Sequence, residues 1–261
     1  MSYTRRITRP SYTDLASFVT YNGPTSVNTG NPLLLPTLTD NLKFSYRLSD
    51  YTFAVLYSRD NDPIVRYQLV ESPDRMQLEV APENMQYQDN LGFQTTMPFT
   101  VGNFWNMNYD LAAGWRKFKE DFTPVPAEKS YFSYNLHGSE MFKLPQKWLF
   151  ELSGYYNGPT YIGSRKYDGF GVVNVGIRKT LNGGAGSLQF SVDDLFETGA
   201  LTSYFGSLTE EAFNLKSRVV HHGEAGKFRI FRISYTNSFG SGSKSSAKKQ
   251  NLQDEQNRIG N

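Results

Sequence analysis

The sequence predicts an all-β fold: antiparallel strands that cross a membrane as part of a barrel wall. Three observations point there. Apolar and polar residues alternate over long runs, and short turns alternate with long polar connections. Aromatics make up 15% of the 261 residues (19 Phe, 17 Tyr, 3 Trp), while the hydrophobic fraction is 38% and the mean hydropathy is -0.52. A wall with lipid outside and water inside produces that pairing, because successive residues face opposite solvents while aromatic side chains gather at both interfaces.

The strands follow in order. A partial strand spans Ser2 to Thr8. Leu42, Phe44 and Tyr46 alternate with Lys43, Ser45 and Arg47. After a turn at Leu48 to Asp50, Tyr51, Phe53, Val55 and Tyr57 alternate with Thr52, Ala54, Leu56 and Ser58. Leu91, Phe93, Met97 and Phe99 oppose Gly92, Gln94 and Thr96; Trp105, Met107, Tyr109 and Leu111 oppose Asn106, Asn108 and Asp110. Phe132, Tyr134 and Leu136 oppose Ser133, Asn135 and His137, and Trp148, Phe150, Leu152 and Tyr156 oppose Glu151 and Ser153. The last three strands place Val173, Val175 and Ile177 against Asn174, Gly176 and Arg178; Leu188, Phe190 and Val192 against Gln189, Ser191 and Asp193; and Phe231, Ile233, Tyr235 and Phe239 against Arg232 and Ser234. Ten strands are expected in all. Several sustain alternation beyond the ~5–6 residues usual in a soluble sandwich and approach the length that crosses a bilayer obliquely.

Short turns are expected near Leu48 to Asp50, Phe99 to Asn103, Pro145 to Lys147 and Asn182 to Gly186. Between them lie the long segments Arg9 to Thr37, Arg59 to Met85, Glu120 to Ala127, Asn157 to Tyr167 and Thr198 to Ala225. Outer-membrane barrels have this asymmetry. Within the second long segment, IVRYQLVE and MQLEVAP flank the turn residues SPDR and predict a hairpin above the membrane. The barrel portion is expected over residues 1–240, and the polar stretch 241–261 as a flexible tail facing the periplasm.

Composition excludes several classes. A transmembrane helix needs about 18 apolar residues in a row, and runs such as Leu33–Leu35 are far shorter. With no cysteine, disulfides and thiolate chemistry are absent. The net charge of +2 resides in the tail, where Lys244, Lys248, Lys249 and Arg258 face only Asp254 and Glu255, so the body is neutral and no basic stripe for nucleic acid is expected.

Two blocks carry a family likeness. RRITRPSYTDLASFVTY followed by GNPLLLPTLTDNLKFSYRL resembles the part of TonB-dependent outer-membrane receptors where an external loop passes through a GNP-x-L-x-P element between two strands. The matching positions are Gly30, Asn31, Pro32, Leu34 and Pro36, with Thr37 where that family commonly has an acidic residue. FRIFRISYTNSFG with the Lys-rich tail looks like the carboxy-terminal strand and tail of the outer-membrane β-barrel branch of the same family, and SVDDLFET resembles the end of its penultimate strand. The likeness implies a partial wall of a larger barrel of about 22 strands. It further implies outer-membrane lipid, a missing amino-terminal half with its plug, an energy-coupling protein acting through that plug, and the barrel-assembly machinery as partners. The opening MSYTRRITRP has no apolar signal segment, which fits a chain that is part of a longer product. Tyr235 and Phe239 near the end are expected to serve as an assembly signal. The implied function is energy-coupled uptake of a bulky nutrient such as a siderophore or glycan. The rivals are a complete small ten-stranded barrel acting as pore, adhesin or enzyme, and a secreted β-protein that binds carbohydrate.

No catalytic, cofactor-binding or metal site is expected, and no cofactor. His221, His222 and Glu224 are read as polar loop residues, because neighbours on an extended chain spread their side chains to opposite faces. Asp193 and Asp194 are read as a rim position. His137, Lys43, Arg47, Arg178, Arg232, Asp110 and Glu151 are expected to face inward, where they line water, pair across strands or contact a plug. Without an identifiable acid, base or nucleophile arrangement, an enzyme is not expected, and substrate-binding residues are unknown.

Overall fold

The computed structural model describes residues 1–23, 26–70, 78–123, 126–181, 186–205, 217–221 and 229–237. The strands are β1 (Ser2–Thr8), β2 (Thr20–Gly23), β3 (Ser26–Asn28), β4 (Thr37–Leu48), β5 (Tyr51–Asn61) and β6 (Ile64–Val70). There follow β7 (Leu78–Asn84), β8 (Tyr87–Val101), β9 (Trp105–Glu120), β10 (Ala127–Leu144), β11 (Trp148–Asn157) and β12 (Thr160–Ile162). The remainder are β13 (Arg165–Tyr167), β14 (Phe170–Thr180), β15 (Ser187–Asp193), β16 (Leu201–Phe205), β17 (Ser217–His221) and β18 (Ile230–Thr236), with one short helix, α1 (Tyr12–Leu15).

Ten of these strands form one antiparallel sheet in the order β1-β4-β5-β8-β9-β10-β11-β14-β15-β18. They are the ten the alternation predicts. The sheet is open: β1 pairs with β4 and β18 with β15, and neither has a second neighbour among the described residues.

Register explains why alternation was so clean. Residues directly opposite in a ladder share a face, so one apolar row per strand must meet an apolar row on the next. Phe44 lies opposite Val55, Val55 opposite Phe93, Phe93 opposite Ala113 and Ala113 opposite Tyr134. Further along, Phe142 faces Phe150, Phe150 faces Ile177, Ile177 faces Phe190 and Phe190 faces Ile233. Ring contacts knit the band together, including Trp115 on Phe132 at 4.7 Å and Trp105 on Phe142 at 5.2 Å between centroids. These side chains remain exposed, as Phe44, Trp115 and Ile233 show at 57%, 62% and 76%. An aqueous protein cannot leave so continuous an apolar face uncovered, whereas a bilayer covers it.

The band has sharp edges. Its outward rows run from Leu91 to Val101 on β8 and from Trp105 to Trp115 on β9, close to the ~9–11 residues a tilted strand needs to cross. Toward the long connections the same face turns charged. Arg5 meets Asp40 at 3.7 Å, Arg59 meets Asp89 at 3.1 Å, and Lys117 meets Glu128 at 2.7 Å. Toward the short turns, Lys179 lies over the Trp148 ring at 4.8 Å. By the barrel rule the long connections face the outside and the short turns the periplasm.

Two segments expected as plain polar loops are built into strands. Asn157 to Tyr167 forms the β12–β13 hairpin, and Thr198 to Ala225 contains β16 and β17; together they make a sheet in the order β12-β13-β16-β17. Strands of three residues, such as β12 and β13, are too short to display alternation, and β16 reaches β13 only across more than thirty residues of sequence, so local sequence carries little sign of this sheet. The hairpin predicted from IVRYQLVE and MQLEVAP is present as β6 and β7, extended by β3 and β2 into another four-stranded sheet. The tail expected at 241–261 and Phe239 lie outside the described residues.

Candidate functional site

The face opposite the apolar band is polar and small. At its centre Gly92 lies across from Gly114, and Gln94 lies between Ala54 and Ala112 on the neighbouring strands, with Ser58, Asn90 and Asn135 nearby. Two adjoining hollows of about 300 and 490 Å³ result, the second bordered by Gln94, Thr96, Asp110, His137 and Tyr155. Asp110 accepts a hydrogen bond from Thr96 Oγ1 at 2.5 Å and from Asn108 Nδ2 at 3.2 Å, and its Oδ2 lies 3.8 Å from His137 Nδ1.

The inward charges sort into cross-strand pairs. Arg178 bonds Glu151 at 3.1 Å, and Arg232 contacts Asp193 on the neighbouring strand. Arg47 turns to the Ser49 carbonyl at 3.0 Å, and Lys43 sits opposite Leu56. Asp193 and Asp194 do not converge. The strand stops at Asp193, and Asp194 takes a positive φ of 51° and accepts from the backbone amides of Thr198 and Gly199 at 2.9 and 2.8 Å. It is a turn-forming carboxylate at the rim. His221 ends β17, while His222 and Glu224 lie outside the described residues. Among the described residues no group of three or more His, Asp or Glu is placed to hold a metal ion.

The outer end of this inward face is covered. Phe118 and Tyr131 project from β9 and β10 into a cluster with Val65, Met85 and Tyr161, so both small sheets bear on the same upper wall. Tyr131 also meets Thr160 Oγ1 at 3.1 Å and receives the Tyr161 amide at 3.3 Å. Gln68, fully buried, joins the two sheets. Its Nε2 donates to the Ile162 carbonyl at 3.1 Å, and its Oε1 accepts from both the amide and the hydroxyl of Ser164 at 3.0 Å.

The GNP element is a structural part of this cap. Gly30 lies so close to Ala16 that a Cβ would fall 2.4 Å from its carbonyl oxygen, and the Gly30 amide donates to that oxygen at 3.0 Å. Asn31 reaches Glu83 of β7 at 3.1 Å and turns the chain by accepting from the Leu33 amide at 2.9 Å. Ser11 and Asp14 form a reciprocal capping box on α1, and Asp14 takes a two-pronged bond from Arg66 with both contacts at 2.7 Å. That guanidinium holds the Asp14 carboxyl well below the usual carboxylate range, with the Ser11 bonds helping.

Glu120 is the feature that alternation cannot reveal. It shares the inward face with Phe118 at the outer end of β9, is fully buried, and neither carboxyl oxygen has a hydrogen-bond partner among the described residues. Burial alone pushes it up to about 8.

Comparison with known proteins gives one match. The family model described as "Outer membrane protein beta-barrel family" matches residues 1–223, from β1 through β17. The block at FRIFRISYTNSFG, which includes β18, lies beyond the matched residues. Neither the curated proteins nor the solved structures gave a match. Matched over most of its length, and carrying a lipid-ready apolar band on an antiparallel ten-stranded sheet, the chain belongs to the outer membrane protein beta-barrel family and resides in the outer membrane.

Proposed function

We propose that the chain is the carboxy-terminal wall of a TonB-dependent receptor, which takes up a bulky nutrient by energy-coupled passage through a plugged barrel. The observation that carries this reading is the pair of free edges. β1 and β18 expose a full row of backbone N–H and C=O groups on one side each among the described residues, and hydrocarbon supplies no partner for them. An open wall of this kind is completed by further strands in the reading proposed here. In the receptor reading they are the amino-terminal half, folded by the barrel-assembly machinery, and a plug rests against the polar inward face. The polar, amide-bearing inward surface and its outer cap suit a ligand path that opens and closes. The assignment of 1–240 to the wall and 241–261 to a periplasmic tail belongs to the same proposal.

The test is the size and behaviour of the native species. An antibody raised against the outer cap should detect, in native outer membranes, a protein well above 29.7 kDa that crosslinks to the energy-coupling protein. A folded species of 29.7 kDa that conducts ions as an open pore in planar bilayers would replace this reading with the complete small barrel.

A further inference from the structure

One carboxyl sits on the wrong side of the wall. Outward-facing residues of β10 run Phe132, Tyr134, Leu136, Gly138, Glu140, Phe142, and Glu140 lies directly opposite Met107 on β9 and Leu152 on β11. No other Asp, Glu, Lys or Arg among the described residues stands inside the apolar band. Tyr109, also outward, donates to Glu140 Oε1 at 2.5 Å and is its one hydrogen-bond partner among the described residues. A carboxyl facing hydrocarbon is costly and is retained where it has something to bind.

Beside it the wall is notched. Gly138 and Gly154 face each other across the β10–β11 ladder; the Tyr109 ring lies over Gly138, 3.1 Å from where a Cβ would stand, whereas beside Gly154 only Val172 and Val173 approach. Leu136, Leu152 and Val173 border the gap, and Tyr109 and Glu140 close one end of a groove of about 290 Å³. Depth identifies the occupant. Glu140 is one outward step from Phe142, whose ring packs on Trp105 and Phe150 at 5.2 and 5.9 Å in the girdle next to the short turns. Aromatic girdles mark the level of the headgroup boundary. A polar pair just inside that boundary lies at the level of lipid ester groups, and the apolar groove continues from it toward the middle of the membrane.

We infer that the Glu140–Tyr109 pair and the Gly138/Gly154 groove form a binding site for a diacyl phospholipid of the periplasmic leaflet, with one acyl chain in the groove. The carboxyl oxygen left free by Tyr109 faces the ester and glycerol level of the lipid and hydrogen-bonds a polar group there. Tyr109 fixes the carboxyl's position. The site lies on the lipid side of the wall and is independent of the transport reading above.

The test uses the protein purified from native outer membranes into nanodiscs doped with a diacyl phosphatidylglycerol that carries a photoactivatable diazirine on one acyl chain. After illumination, peptide mapping should find labels concentrated on residues 136–156, several-fold above the outward rows of β5 and β8. Leu152→Trp, which fills the groove, and Glu140→Leu, which removes the polar group, should each cut that labelling at least fivefold. Glu140→Gln keeps a hydrogen-bonding group of the same length and should retain most of it. Even labelling around the wall of the unmodified protein overturns the proposal without recourse to any variant. So does equal labelling in Glu140→Leu and Glu140→Gln. Disulfide crosslinking of two copies through Leu136→Cys, in a chain with no native cysteine, would assign the groove to a second copy instead.

Discussion

The side-chain oxygen of Gln68 receives two hydrogen bonds from one residue, the amide and the hydroxyl of Ser164, each at 3.0 Å. Ser164 itself is buried to the same degree as the glutamine. This double contact, with the Nε2 bond to Ile162, ties the β2-β3-β7-β6 sheet to the β12–β13 hairpin over the inward face. Replacement by leucine keeps the volume roughly constant but strands the Ser164 N–H and the Ile162 carbonyl in a dry setting. Each such group costs about 1–3 kcal/mol. Gln68→Leu is therefore expected to raise hydrogen exchange at Ser164 by roughly tenfold or more, while exchange within the ten wall strands stays unchanged. Equal exchange in both proteins would show that the two sheets are held by other contacts.

Gly163 makes that contact geometrically sensitive. It has a positive φ of 58°, and a Cβ there would lie 2.4 Å from Gln68 Oε1. Gly163→Ala should thus open the cap through two effects, a backbone cost of about 1–2 kcal/mol and displacement of the glutamine. The second effect vanishes when the glutamine is shortened. In a double-mutant cycle with Gln68→Ala, the two losses should sum to more than the double variant shows. Strict additivity in thermal unfolding would mean the clash is relieved elsewhere.

Glu120 gives the cap a pH dependence of definite sign. Its carboxyl rises from 4.5 to about 8 on folding because burial disfavours the charge. Between those values the folded state holds a proton that the unfolded state has released, so stability falls as pH rises through this window and levels off above it. Full ionisation corresponds to roughly 5 kcal/mol as an upper bound. The thermal midpoint should drop between about pH 5 and pH 9, and Glu120→Gln should flatten most of that drop. A variant with the same slope as the parent would transfer the effect to another group.

The wall was legible because its physics is local. A period of two, repeated between turns, specifies both faces of every strand at once, which is why Phe44, Phe93 and Phe150 could be placed outward from sequence. The cap was legible only in part. The β6–β7 pair has an alternating pattern and turn residues, whereas β12 and β13 are too short to alternate and the β13–β16 pairing spans tens of residues. Gln68 and Glu120 escaped for a related reason. Nothing in their immediate neighbours says that a glutamine bridges two sheets, or that a carboxyl is sealed without a hydrogen-bond partner among the described residues. The GNP element was found as a likeness, and its physical role, close packing on Ala16 and a tether to Glu83, needed the fold.

The assignment of faces is itself open to a direct test at two adjacent residues. Phe93 lies outward opposite Val55 and Ala113, and its ring stacks on Phe53 at 6.4 Å between centroids. Gln94 lies inward opposite Ala54 and Ala112, where the wall is lined by small residues. An arginine on the lipid face near mid-depth costs about 2–4 kcal/mol, while an arginine facing water has room and solvent and is nearly neutral. Phe93→Arg should therefore lower stability toward urea in lipid vesicles by that amount, and Gln94→Arg by less than about 1 kcal/mol. The contrast between neighbours removes depth, strand position and added charge as explanations, leaving only the face. Equal losses at the two positions would mean that both sides of the sheet meet the same medium, and the wall as described would have to be abandoned.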